Sequence, residues 1–302
     1  MKVDENRFQM FLREKGLTKY AICSSTGISS RTIAKIAKGE NLRNEVVARI
    51  ATALGVGVEE IAARNEILLR LQQEERVKLS GGLYHETQVR LTYNSNHIEG
   101  SRLTEDQTRY IFETKTIGSL SADLPVDDVL ETANHFRCID SVIRHAEEPL
   151  SESYVLSLHA LLKAGTDSAE RYGAGVYKRY PNTVGGIATV SPDDTEKEMR
   201  ALLARYHKIR APRFEDLVAF HYAFECIHPF QDGNGRVGRL IIFKECLRCG
   251  YIPTYVDDRY KPEYYNGLRK WNEERGFLLE TFRFGQDLYK RLLDYFSVPY
   301  RD

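Results

Sequence analysis

The stretch HPFQDGNGRVGR, residues 228–239, decides the reading of this 302-residue chain. Just upstream, Leu217, Phe220, Phe224 and Ile227 fall on one stripe at helical spacing, so His228 stands at the end of a buried helix. Pro229 disfavours helical geometry in the residue before it and stops that helix. Just downstream, Val237, Leu240, Ile241 and Phe243 begin a second apolar helix. The glycines and Asn234 therefore lie where the second helix starts. Free backbone N–H groups and the helix dipole favour an anion there, most naturally phosphate. Arg236 and Arg239 bring forked, charge-assisted donors suited to phosphate oxygens. Asp232 is a hard oxygen ligand, and with phosphates present Mg2+ needs only one or two carboxylates. A histidine ordinarily titrates near neutrality, which makes His228 a candidate general base. One short segment thus holds a base, a metal ligand and a phosphate cradle, the parts of phosphoryl-group chemistry.

Other readings of the same letters fail on context. GNGRVG, residues 233–238, spells GxGxxG, but a dinucleotide fold needs a strand before it, and here a helix ending in His-Pro precedes. Glu225 and His228 form ExxH, half of a di-iron bundle pattern, with no second copy in the chain. Cys246 and Cys249 form a CxxC at the end of a buried helix, with no second cysteine or histidine pair to complete a metal site.

This stretch resembles the signature of the Fic family, HxFx(D/E)GNGRxxR, at every fixed position, and the similarity extends over roughly residues 88–285. The resemblance implies a protein adenylyltransferase that moves AMP from ATP to a Ser, Thr or Tyr hydroxyl of a target protein, itself among the candidates. By resemblance His228 deprotonates the hydroxyl for attack on the α-phosphate. Asp232 holds Mg2+, Gly233, Asn234, Gly235 and Arg236 cradle the phosphates, and Arg239 meets the γ-phosphate. Upstream, YNSNHIEGSRLT, residues 93–104, looks like the inhibitory motif [S/T]xxxE(G/N) of the same family. Its Ser95 and Glu99 are four apart, on one helix face. In the family this glutamate pairs with the second arginine of the signature, here Arg239, so that a carboxylate and a phosphate compete for one guanidinium. In some relatives the same glutamate directs removal of AMP. Two further segments follow from the resemblance. Residues 173–192, rich in glycine, proline and β-branched side chains, read as a hairpin flap, with Gly186, Ile187, Ala188 and Thr189 as contact candidates. Tyr264 and Asn272, within residues 263–276, are the adenine-side candidates. His97, His135, His159 and His221 read as structural histidines.

The N-terminal part reads differently. Over residues 17–56, Thr18 can cap a helix that Gly27 ends, and Ser29 or Ser30 can cap the next, with Ile33 and Ile36 inward. Helix, short glycine turn, helix is the helix-turn-helix pattern. The stretch resembles the Xre/lambda-repressor-like DNA-binding domains, which present the second helix to the major groove. By that resemblance Ser29, Ser30, Arg31, Thr32 and Lys35 face DNA. A small helical bundle used for protein docking is the other reading. Residues 1–64 carry 11 Lys/Arg against 7 Asp/Glu, whereas the rest carries 32 against 36, so the two parts suit different partners.

Composition bounds the remainder. Hydrophobic residues at 42% and charged residues at 28% describe a globular protein of about two domains. A formal net charge of zero excludes an overall basic nucleic-acid coat. No apolar run approaches the roughly 18 residues of a membrane span, so no membrane partner is expected. The start, MKVDENRFQM, lacks the apolar centre of a signal peptide. Five scattered cysteines suggest reduced thiols in a cytoplasmic setting. The expected architecture is all-α: a helix-turn-helix domain over 1–64, a connecting helix over 65–83, and a helical Fic-like domain over 84–302 with one β-hairpin flap. The leading function is an autoinhibited, ATP- and Mg2+-dependent adenylyltransferase. The alternatives are a DNA-binding regulator that senses nucleotide and a phosphodiesterase that removes AMP through Glu99. Oligomerisation is left open.

Overall fold

The computed structural model describes residues 1–300 except 41, 64, 119–122 and 185–186. It divides into two compact units, Met1–Asn65 and Glu66–Asp302.

The first unit holds helices α1 (Glu5–Glu14), α2 (Lys19–Thr26), α3 (Ser30–Ala37), α4 (Asn44–Leu54) and the single turn α5 (Val58–Ile61). Its boundaries are set by side-chain chemistry. Thr18 Oγ1 accepts from the Ala21 N–H at 3.1 Å, and Gly27 leaves α2 at φ 66° in the left-handed region that glycine enters without penalty. Of the two serines that follow, Ser29 is the cap, accepting from the Thr32 N–H at 3.2 Å. One apolar face of each helix meets in a core around Phe8, Ile22, Ile33, Ile36, Val47, Ile50 and Ile61. An antiparallel bridge between Val3 and Ala62 ties the two ends of the unit together.

In the second unit come α6 (Glu66–Arg76), α7 (Leu83–Ile98), α8 (Glu105–Thr114), α9 (Val126–Arg144), α10 (Glu152–Lys163), α11 (Asp167–Tyr172), α12 (Pro192–His207), α13 (Phe214–Ile227), α14 (Asn234–Cys249), α15 (Lys261–Lys270) and α16 (Gly276–Tyr295). The helix expected over 65–83 ends at Arg76, and its Ile67, Leu68 and Leu71 are buried in the core of this unit. The flap contains a two-residue antiparallel pairing, β1 (Thr183–Val184) with β2 (Ile187–Ala188).

Helix α14 sits at the centre. Every residue from Arg236 to Leu247 is buried, and α14 packs against α7, α9, α10 and α13. A helix enclosed on every side, its charged Arg236, Arg239, Lys244 and Glu245 included, belongs to the core, so its N-terminus is fixed by the packing of four neighbours. Phe224 and Phe230, both fully buried, anchor the two sides of the connecting loop, each worth roughly 2–3 kcal/mol of apolar burial.

Candidate nucleotide-binding site

The loop between α13 and α14 is shaped by one residue in an unusual conformation. His228 closes α13 at φ 51°, its N–H bonded to the Phe224 carbonyl at 2.9 Å. A non-glycine residue there is held only by its surroundings. Asn234 supplies part of that hold. Its Oδ1 accepts from the Phe230 N–H and its Nδ2 donates to the Phe230 carbonyl, both at 2.8 Å. The Asn234 side chain, expected in the phosphate cradle, therefore pins the loop. Gly233, at φ 82°, begins α14 with no capping side chain. The first-turn N–H groups of α14 have no intrahelical acceptor, which leaves them for an external anion.

Around this helix start, charged side chains are buried and interlocked. Arg239 is 7% exposed. Its Nε donates to Ser95 Oγ at 3.0 Å, and its Nη2 donates to the Ser95 carbonyl at 2.9 Å and to Glu99 Oε1 at 2.7 Å. Ser95 lies in the last turn of α7, and Glu99 is the residue that caps it. A Cβ on Gly235 would stand 2.3 Å from Glu99 Oε1 and 2.9 Å from Arg239 Nη1, so the pair lies flat against the helix start. Arg239 Nη1 is buried and has no hydrogen-bond partner among the described residues. Burial raises the Glu99 carboxyl, and the Arg239 and Arg236 charges more than reverse this, holding it below the usual carboxylate range.

Asp232 faces a second set of charges. Its Oδ1 accepts from the Gly233 N–H at 2.6 Å and from Arg236 Nη2 at 3.3 Å, and its Oδ2 accepts from Lys163 Nζ at 2.5 Å. Burial opposes ionisation here, but Arg236 and Lys163 prevail and hold the carboxyl at about 2. Glu131 completes the group, bonded to both Lys163 and Arg236. Among the described residues no cluster of three or more His, Cys, Asp or Glu side chains could hold a metal ion. A divalent cation at Asp232 would draw its remaining ligands from phosphates and water, as the ionised, 44%-exposed carboxylate permits.

His228 is made neutral by its setting. Burial, then the nearby Lys178 charge, depress it to about 4, so at pH 7 the imidazole is a free base able to take a proton. Lys178 donates to the Ile227 carbonyl at 3.0 Å, to Thr189 Oγ1 at 2.7 Å and to Asn182 Oδ1 at 2.8 Å. Asn182 Nδ2 donates to the Phe230 carbonyl at 2.9 Å. The flap is thereby tied to the loop that carries His228. Behind His228, Glu225 is 5% exposed, and burial pushes its carboxyl up to about 8, with Arg239 opposing.

Several expected residues have partners within the protein. Tyr264 is 1% exposed, its hydroxyl pairs with His221 Nε2 at 2.8 Å, and its ring lies 5.7 Å from the Arg239 guanidinium. It belongs to the core, because the inner face of α15 carries Tyr264 and Gly267 inward, with the Leu278 backbone pressed against Gly267. Tyr265, half-buried and influenced by Glu99 and Arg239, is the tyrosine of that segment that keeps an open face near them. Asn272 is exposed and donates to the Tyr222 hydroxyl at 3.1 Å. Gly186 lies outside the described residues; Ile187 and Ala188 form β2, and Thr189 follows it. His159 is structural: it stacks on Phe230 at 3.8 Å and bonds the Asp232 carbonyl at 3.1 Å. Lys163, Glu131, Lys178 and Asn182 were not singled out from the sequence, and Glu225 only as half of an ExxH pair. The one available signal was a lysine closing the apolar run of α10.

In the first unit, Ser30 and Arg31 are exposed at the N-terminal end of α3. Ser29 Oγ is engaged in its cap and lies 2.9 Å from Thr32 Oγ1. Lys35 is paired with Glu40 at 3.3 Å.

Comparison with known proteins places both units. The Fic/DOC family matches residues 149–245, and the Cro/C1-type helix-turn-helix DNA-binding domain matches residues 7–66. Protein adenylyltransferase Fic of Nematostella vectensis is 29% identical over 206 residues, covering 67% of this chain and 47% of that protein. The protein of the same name from Drosophila willistoni is 30% identical over 212 residues, covering 67% and 40%. The chain thus spans less than half the length of these curated relatives. A Fic-domain-containing signaling protein from Bacteroides thetaiotaomicron superposes with a TM-score of 0.61 at 25% identity, covering 76% of this chain and 94% of that one. Fic-1 from C. elegans shares the fold, with a TM-score of 0.54 at 20% identity over 88% of this chain and 77% of that one. A helix start left without a capping side chain, bracketed by two buried arginines and a neutral histidine, is thus found in a chain that carries a Fic/DOC-family domain behind a Cro/C1-type helix-turn-helix domain.

Proposed function

We infer that the second unit is a protein AMP-transferase held in check by its own Glu99. The observation that carries this is the Arg239–Glu99 pair lying against Gly235, with Arg239 Nη1 idle at the start of α14. A triphosphate at this helix start meets backbone N–H groups directly, with the Arg236 charge close by on Glu131 and Asp232, but reaches Arg239 only if Glu99 gives it up. His228, neutral at pH 7, takes the proton from an incoming Ser, Thr or Tyr hydroxyl. The hydroxyl oxygen bonds to the α-phosphorus, and pyrophosphate leaves with the electron pair of the broken P–O bond. Asp232 would hold Mg2+, which when bound would neutralise charge on the phosphates. Lys178 and Asn182 hold the flap beside His228, where an extended target segment can add to the hairpin.

The test uses ATP labelled at the α- or the γ-phosphate. Glu99→Gly protein should transfer the α-label to protein and not the γ-label, and adding His228→Ala should abolish transfer. Transfer of the γ-label, or α-transfer that survives His228→Ala, would overturn the reading.

For the first unit the proposed partner is DNA, contacted by Arg31 and Ser30 from the exposed start of α3. Arg31→Ala should weaken a gel shift, and affinity should fall steeply with salt. Binding insensitive to both would favour a protein-docking module.

A further inference from the structure

Four charged side chains close a ring beside the phosphate cradle. Lys163 bonds Glu131 and Asp232, and Arg236 bonds the same two carboxylates. Two cations meet two anions, so the ring is neutral as it stands. Both oxygens of Asp232 are engaged, Oδ1 by the Gly233 N–H and Arg236, Oδ2 by Lys163 at 2.5 Å. Lys163 and Arg236 are 1% and 4% exposed, whereas the Asp232 side chain is 44% exposed. Asp232 is thus the open corner of an otherwise buried ring.

Lys163 cannot simply swing out to water. A Cβ on Gly233 would stand 3.4 Å from Lys163 Cδ, so the lysine stem lies packed under the loop. Among the described residues its ammonium is ion-paired with one other anion, Glu131, to which it is already bonded. A divalent cation that takes an oxygen of Asp232 as ligand must approach to about 2.0 Å. Lys163 Nζ already stands 2.5 Å from Oδ2, and the two like charges would repel.

We propose that Lys163 is the resident cation of Asp232 and acts as a positioning residue: it excludes a metal ion arriving alone and yields, by moving fully onto Glu131, only to a metal ion arriving with a triphosphate. This rests on the reading of Asp232 as the metal-holding carboxylate. The triphosphate supplies the negative charge that a neutral ring lacks, and phosphate oxygens supply the missing ligands. The sequence separates the roles: Asp232 from the loop is ligand, Lys163 from α10 is gate, and Glu131 from α9 receives the displaced ammonium.

The experiment is a titration of the full-length chain with Mn2+, followed by the electron paramagnetic resonance signal of the free ion. With no nucleotide, the unsubstituted chain should bind Mn2+ only weakly, whereas Lys163→Met should bind it at least tenfold more tightly, since the ring then carries one net negative charge. Adding Asp232→Asn to Lys163→Met should remove the gained binding. Equal affinity of the unsubstituted and Lys163→Met chains for Mn2+ alone overturns the proposal, as does gained binding that survives Asp232→Asn. Glu131→Gln keeps the ammonium and tests the claim from the other side. With the receiving charge gone, Lys163 stays on Asp232, and Mn2+ binding in the presence of ATP should weaken at least fivefold in Glu99→Gly protein. No weakening overturns the proposal even where Lys163→Met fails to fold. If Mn2+ with ATP does not bind Glu99→Gly protein having Lys163 and Glu131 intact, the assignment of Asp232 itself is what falls.

Discussion

Replacing Glu225 by glutamine should change how the stability of the second unit depends on pH. Glu225 is 5% exposed, its Oε1 has no hydrogen-bond partner among the described residues, and burial raises its carboxyl from 4.5 to about 8. A folded-state pKa above the unfolded one means that the folded state holds the proton more tightly. The contribution to stability is complete below the unfolded value of 4.5 and is lost as pH rises towards about 8. At about 1.4 kcal/mol for each pH unit, the full loss is about 5 kcal/mol, of which about 3 kcal/mol falls between pH 5 and 7.5. Glutamine has the same shape and no proton to lose, so Glu225→Gln should gain about 3 kcal/mol on the unsubstituted chain across that interval. The chain has a single tryptophan, Trp271, 5% exposed in the second unit, so urea titrations followed by its fluorescence report on this unit. Parallel pH curves for the two proteins would refute the reasoning, because Glu225 would then be ionised throughout and paired with Arg239.

Three further outcomes follow from single contacts. Asn234→Ala removes both bonds to Phe230 and strands its buried N–H, while the carbonyl keeps Asn182 Nδ2, which should cost about 1–3 kcal/mol by the same fluorescence assay. In the first unit, Ser29→Ala removes the cap of α3 and should cost about 1 kcal/mol by circular dichroism, while Ser30→Ala should cost little. Arg31→Ala should lower DNA affinity and make the dependence of log affinity on log salt shallower by about one, with no loss of stability, because Arg31 is exposed.

What the sequence discloses, and what it hides, follows from the range of the interactions concerned. The loop from His228 to Gly233 is legible because proline, glycine and helical periodicity act within a few residues. Ser95 and Glu99 are legible through the resemblance of residues 93–104 to the inhibitory motif, and the structure brings both to Arg239, 144 and 140 residues along the chain. The caps at Thr18 and Ser29 are equally local. Lys163 and Glu131 were invisible because a buried ion pair is defined by packing between α9, α10 and α14, and no local pattern marks it. Tyr264 shows the limit of aromatic chemistry as a signal: helical spacing on α15 turns the ring inward, where it lies 5.7 Å from the Arg239 guanidinium. Asn234 shows a third case, since an amide that suits phosphate suits two backbone groups of its own loop as well.

The most direct test of the account compares AMP transfer from α-labelled ATP by the unsubstituted chain, Glu99→Gly and Glu99→Gly/Arg239→Ala. A charged hydrogen bond worth about 1.5–3 kcal/mol separates the restrained and released states of Arg239. Glu99→Gly should therefore raise the initial rate at least tenfold, and the added Arg239→Ala should return it to the starting level or below. A rate unchanged by Glu99→Gly, or a double variant as fast as Glu99→Gly alone, would contradict the claim that Glu99 restrains transfer by occupying Arg239.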